Sequence, residues 1–167
     1  MIALALVGAT LAAEPVANAI GLGVGLNAWQ SPARHILLPS PSLWVERTAR
    51  PWSMGAELSW SHRASQTSLY DYGTHYARLS ALGGLALGTR PATFHAEAGL
   101  ALSAQLASVD WQSDAQTHLI AEPGLRVRLS MDGPIAERLA WQGLIGVTSR
   151  GVVDWDYDIA FGLGMRW

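Results

Sequence analysis

Residues 157–167, YDIAFGLGMRW, decide how this chain is read. Tyr157, Ile159, Phe161, Leu163, Met165 and Trp167 are aromatic or apolar, and Asp158, Ala160, Gly162, Gly164 and Arg166 between them are small or charged. A period of two is that of a β-strand with one greasy face and one polar or nearly bare face.

The same alternation recurs along the chain. Ile20, Leu22, Val24, Leu26 and Ala28 oppose Gly21, Gly23, Gly25 and Asn27. Trp52, Met54, Ala56, Leu58 and Trp60 oppose Ser53, Gly55, Glu57, Ser59 and Ser61. Further runs of this kind cover 76–88, 94–106, 118–131 and 139–150, which gives seven regular strands with the last. An eighth, over 43–49, is irregular: Leu43, Val45 and Ala49 share a face with Arg47, while Trp44 and Glu46 point the other way. Either a bulge near residues 39–42 shifts the register, or Arg47 snorkels at a membrane edge. There an outward Arg costs about 0 to 1 kcal/mol rather than about 2 to 4 at mid-depth, so snorkelling is the favoured reading.

Composition narrows the class. Half the residues are hydrophobic and only 14% are charged, too apolar for disorder. No apolar run reaches the roughly 18 residues that a membrane helix needs. The formal charge of −2 and the scattered arginines give no footprint for nucleic acid. Cysteine is absent, which excludes disulfides and thiolate metal sites and leaves the compartment unread from redox chemistry. Every basic residue is Arg, a planar fork suited to fixed carboxylate pairing.

The opening MIALALVGATLAAEP has the apolar and small-residue parts of a secretory signal peptide. Cleavage is expected near Ala12 or Ala13, giving a 1–13 signal and a 14–167 barrel domain, with Ala17-Asn18-Ala19 as the second candidate. The missing basic n-region leaves room for a start upstream. Further along, tight Pro-containing connections over 49–52 and 89–92, and a slightly longer one over 132–138, alternate with polar ones over 31–42, 64–74, 108–116 and a short 149–153. Short turns at one end and longer loops at the other are expected of an all-β, eight-stranded antiparallel up-and-down transmembrane β-barrel, with both termini and the turns on the periplasmic side. A soluble ligand-binding barrel would also alternate. It would have no use for repeated strand glycines, which a narrow lumen does need. Trp29, Trp52, Trp60, Phe94, Trp111, Trp155, Tyr157 and Trp167 fall near strand ends, as in the two aromatic girdles of a membrane barrel.

On this architecture and the aromatic-terminated YDIAFGLGMRW, the chain after the signal resembles the small eight-stranded outer-membrane β-barrels of the OmpA/OmpX type. The resemblance implies location in the bacterial outer membrane, a monomer, contact with outer-membrane lipid and lipopolysaccharide, and an assembly signal at Phe161 and Trp167 read by the insertion machinery. With the chain ending on that strand, the periplasmic domain of larger members is not expected.

The inward faces carry Glu46, Glu57, Glu97 and Glu122 against Arg78, Arg126 and Arg128, with Arg150, Asp154, Asp156 and Asp158 towards the loop end. Counting from the Pro turns sets Glu57, Glu97 and Arg126 at similar depth, so a Glu/Arg network can cross the lumen. It is expected to plug the barrel rather than conduct, because an unpaired buried charge costs several kcal/mol. Some barrels of this class act on lipid A or phospholipid with His, Ser and an acid. His62 lies near Ser61, Ser65 and Ser68, with Asp71 and His75 on the same loop, which are the groups acyl transfer requires. No acyltransferase or deacylase motif is present, so a structural or surface-interaction role is expected, with a lipid-modifying enzyme and a small channel as alternatives. His35, His62 and His75 lack metal-ligand spacing. GLGVG has no following helix for a dinucleotide. No metal or cofactor is therefore expected.

Overall fold

The computed structural model describes residues 16–31, 34–66, 71–88, 92–111, 114–150 and 154–167. They form β1 (Ala17–Ser31), β2 (Arg34–Ala49), β3 (Trp52–Gln66), β4 (Asp71–Leu87), β5 (Thr93–Trp111), β6 (Asp114–Pro134), β7 (Leu139–Arg150) and β8 (Asp154–Arg166). Each strand pairs antiparallel with the next, and β1 pairs with β8 from Ala19↔Arg166 to Ala28↔Tyr157, which closes the barrel. The seam is finished by Asn18 and Trp167, whose backbones exchange hydrogen bonds of 3.0 and 3.1 Å. The expected signal peptide and its first cleavage site lie outside the described residues. Ala17, Asn18 and Ala19 are strand residues, paired with Thr48, Arg47 and Glu46.

Period two sorts the side chains as expected. Leu100 on the outside is 69% exposed, whereas Arg126 on the inside is fully buried. The interior is thus polar and the exterior apolar, the reverse of a water-soluble barrel. β2 runs without a bulge: its pairing with β1 is continuous from Ser31↔Arg34 to Ala17↔Thr48. Arg47 faces outward beside Met54, next to the Arg50–Pro51 turn, and Trp44 and Glu46 are buried inside.

The connections differ from expectation. Most of 34–42, 64–66, 71–74 and 108–116 is strand, so β5 and β6 reach 19 and 21 residues. About ten residues per strand suffice to cross a membrane, so roughly half of each projects beyond it. The segments between strands at this end are no longer than those at the Pro-turn end. A ribbon in water is polar on both faces, which erases the period-two signal while backbone pairing continues.

Pairing is uneven in the projecting part. β3, β4, β5 and β6 stay paired to their tips, from Gln66↔Asp71 through Asp71↔Asp110 to Trp111↔Asp114. Ladder pairing of β2 with β3 runs only between Ser42↔Ser59 and Ala49↔Trp52, and that of β6 with β7 only between Arg126↔Thr148 and Pro134↔Ala140, beyond which the Ser149 hydroxyl takes the Leu125 N–H. Pro39, Pro41 and Pro123 lie just past the points where this pairing stops. A residue without an N–H fits an edge segment and discourages further pairing there.

Candidate functional site

The lumen is the site, and its walls are laid out by which strand positions are bare. Trp44 enters from β2 and lies across the β1/β8 seam. A Cβ on Gly21 would collide with its indole, and one on Gly164 would sit 2.7 Å from Cη2. These glycines are spaces for a buried ring rather than turns. Gly146 plays the same part for Arg126, whose Nη1 is 2.8 Å from where a Cβ would be. Gly88 alone among the described glycines needs its backbone freedom, at φ 122°.

Arg126 on β6 centres the middle of the lumen. Its Nη2 donates to both oxygens of Glu57 on β3 at 3.1 Å, and Nη1 donates to Asp158 on β8 at 2.7 Å and to Thr148 on β7 at 3.0 Å. Arg78 on β4 reaches the same carboxylates, at 3.1 Å to Asp158 and 3.9 Å to Glu57. One turn-ward step along β6, Arg128 donates from Nε to Glu97 on β5 at 2.7 Å and from Nη2 to Glu46 on β2 at 3.2 Å. Ser53 donates to Glu97 at 2.8 Å and the Gln142 amide to Glu46 at 3.1 Å. Groups from most of the strands therefore meet on the barrel axis. Guanidinium forks meet carboxylates within a low-dielectric wall, where such pairs hold strongly if satisfied.

Nearer the turn end, His95 stands between two acids, with Nδ1 3.1 Å from Glu46 and Nε2 3.4 Å from Asp132. Arg166 on β8 holds the other oxygen of Asp132. This layer borders a cavity of about 590 Å³ that also touches Arg50 and Trp167. At the opposite end Arg150 binds Asp156 at 2.8 Å.

The sequence-derived residues are not all brought together. Glu57 meets Arg126 directly, but Glu97 pairs with Arg128 instead of Arg126. Glu122 leaves the network: its side chain is 38% exposed and 3.6 Å from Arg150, because its position on β6 is already in the projecting part. Asp158, expected towards the loop end, sits at the centre. Asp132, expected in a turn, is a β6 residue facing inward. His95, Gln142 and Trp44 had the inward period as their only signal, without a partner to suggest a role.

Outside, Trp52, Phe94 and Trp167 face outward at the turn end, and Trp60, Trp155 and Tyr157 do so further along. The side chains of Trp29 and Trp111 lie outside those described. The grouping weighed for acyl transfer is split by the strand period: Ser61 is buried in the lumen, while His62 points out and stacks on His75 with ring centroids 4.4 Å apart. Ser68 and the His35 side chain are outside the described residues.

A closed eight-stranded barrel with a polar, ion-paired interior and an apolar exterior is a transmembrane β-barrel. Solved structures of that fold are similar to it throughout. Ail, the attachment invasion locus protein of Yersinia pestis, solved with the heparin analogue sucrose octasulfate, superposes with a TM-score of 0.73 at 10% identity, covering 92% of this chain and 100% of that one. A major outer membrane protein from Thermus thermophilus gives 0.72 at 11% identity, over 92% and 100%. Neisserial surface protein A gives 0.65 at 14% identity, over 91% and 99%. No protein-family model matches the chain, and no curated protein matches its sequence. The likeness is one of fold: the chain is built as the small bacterial outer-membrane barrels are.

Proposed function

We propose that this chain is an integral protein of the bacterial outer membrane, monomeric and non-enzymatic. In this reading its lumen is a closed electrostatic plug, and its role is structural or one of surface interaction through the projecting strands. The observation that carries it is the division of the barrel. The membrane-depth part spends its inward charges on each other, with Arg126 bridging Glu57 and Asp158. The β3–β6 ribbon beyond it keeps backbone edges on β3 and β6 that β2 and β7 do not cover. Open strand edges take up extended partners by strand addition, with main-chain bonds giving affinity and side chains giving choice. Separation of Ser61 from His62 across the wall counts against acyl transfer at that pair.

The test is a trimmed barrel in which residues 107–118 are replaced by a tight turn. Wild type is expected to raise attachment of expressing cells to protein-coated surfaces above a vector control, and the trimmed form to lose that gain while reaching the membrane at normal levels. Attachment equal to the control in wild type would remove the surface role. Acyl-chain release from lipopolysaccharide-containing bilayers would remove the non-enzymatic one.

A further inference from the structure

The turn-end mouth holds an arrangement that plugging alone does not require. Glu46, His95 and Asp132 are all buried, and one ligand atom from each lies within 4.8 Å of the others. His95 is 2% exposed, and its Nδ1, although 3.1 Å from Glu46 Oε1, has hydrogen-bond geometry to nothing. Two electron-rich atoms thus meet side-on at the edge of a cavity of about 590 Å³. The second oxygen of each carboxylate is already held, Glu46 Oε2 by Arg128 and Asp132 Oδ2 by Arg166. Those grips turn Oε1 towards Nδ1 and Oδ1 towards Nε2, on opposite sides of the imidazole. Fixing a carboxylate by one oxygen so that the other is aimed at an ion is how proteins orient metal ligands.

We infer that His95 Nδ1 and Glu46 Oε1 bind a divalent transition-metal ion that enters from the turn-end mouth, with Asp132 accepting the Nε2 proton and orienting the ring. An imidazole beside a carboxylate suits Zn²⁺ and its neighbours, with the remaining positions left for water from the cavity. Calcium and magnesium favour all-oxygen sets and are the poorer fit. Arg128 and Arg166 offset part of the carboxylate charge, so the ion exchanges with the mouth rather than being locked in.

The experiment uses the refolded barrel in lipid nanodiscs and the metal alone. The chain has five histidines, so replacing His35, His62, His75 and His118 with Ala leaves His95 as the one imidazole and removes the stacked surface pair as a competing site. This variant is expected to bind Zn²⁺ at one site by calorimetry, and Cu²⁺ in its place should show coupling to a single imidazole nitrogen in pulsed electron paramagnetic resonance. His95→Gln in the same background should weaken binding by more than about a hundredfold, beyond the roughly 10- to 100-fold loss typical of a merely orienting group. His62, His75 and His118 are exposed, and none of the four replaced residues is among the ion-paired groups described above, so the His95-only protein reads the site even where His95→Gln fails to fold. Absence of Zn²⁺ binding in the His95-only protein, or Cu²⁺ without imidazole coupling, overturns the proposal.

Discussion

Arg126 shows how far a single residue could be read in advance and where the reading stopped. Its inward face and its depth relative to Glu57 follow from period two and from counting residues away from the Pro turns. Asp158 escaped that count because β8 enters from the far end and carries no Pro turn at its start, so its depth depends on the stagger between strands. Removing Arg126 takes away the main partner of the buried Glu57 and Asp158 and leaves them to Arg78 and Arg128. Arg126→Ala is therefore expected to cost about 3 to 5 kcal/mol in urea unfolding from lipid bilayers. Glu122→Gln, on a half-exposed pair, should cost no more than about 1 kcal/mol. Equal losses would mean that the central ion pairs do not carry the lumen. The space at Gly146 makes a second test. A methyl there presses on the Arg126 guanidinium, so Gly146→Ala should destabilise wild type but be nearly silent beside Arg126→Ala. A double-mutant cycle should give about 0.5 to 3 kcal/mol of coupling, and no coupling would place Arg126 elsewhere.

At the scale of strands, the sequence carried the membrane-depth parts well, because lipid on one side and a narrow lumen on the other impose a strict alternation. The outer stretches of these strands, 34–42, 64–66, 71–74 and much of 108–116, were read as loops. Water on both faces removes the pattern, and only backbone pairing, which has no hydropathy signature, keeps them strands. Pro39, Pro41 and Pro123 were the available cues to where neighbouring strands part. A pair of substitutions on outward positions marks the boundary. Leu100→Arg, opposite Leu125, should cost about 2 to 4 kcal/mol, and Leu119→Arg, out on the ribbon, about 0 to 1 kcal/mol. Equal penalties in bilayer unfolding would put the ribbon inside the lipid. Strand β8 gives another prediction. Trp167 bonds Asn18 through its backbone, so Trp167→Ala keeps the seam while removing the terminal ring. Surface levels in cells should fall while refolding into detergent stays near normal, and a matching loss in both would make the ring a stability element rather than an assembly signal.

The whole molecule is an inside-out barrel, and its closure follows from its size. Eight strands leave a lumen only wide enough for side chains, and here Trp44 and the guanidiniums of Arg78, Arg126 and Arg128 occupy it. Planar-bilayer recordings should accordingly show no stable large conductance, and reproducible porin-like steps would contradict the plug. All of this rests on which face meets lipid. Since the chain has no cysteine, single-Cys variants report one position each. The most direct measurement is quenching by brominated lipid of a small fluorophore at Leu100, Leu102 or Val127, compared with Gly99, Ser103 or Arg126. Strong quenching at the first set and protection at the second is the predicted result. Equal shielding at both, in a protein that stays in the aqueous fraction without detergent, would contradict the membrane barrel itself.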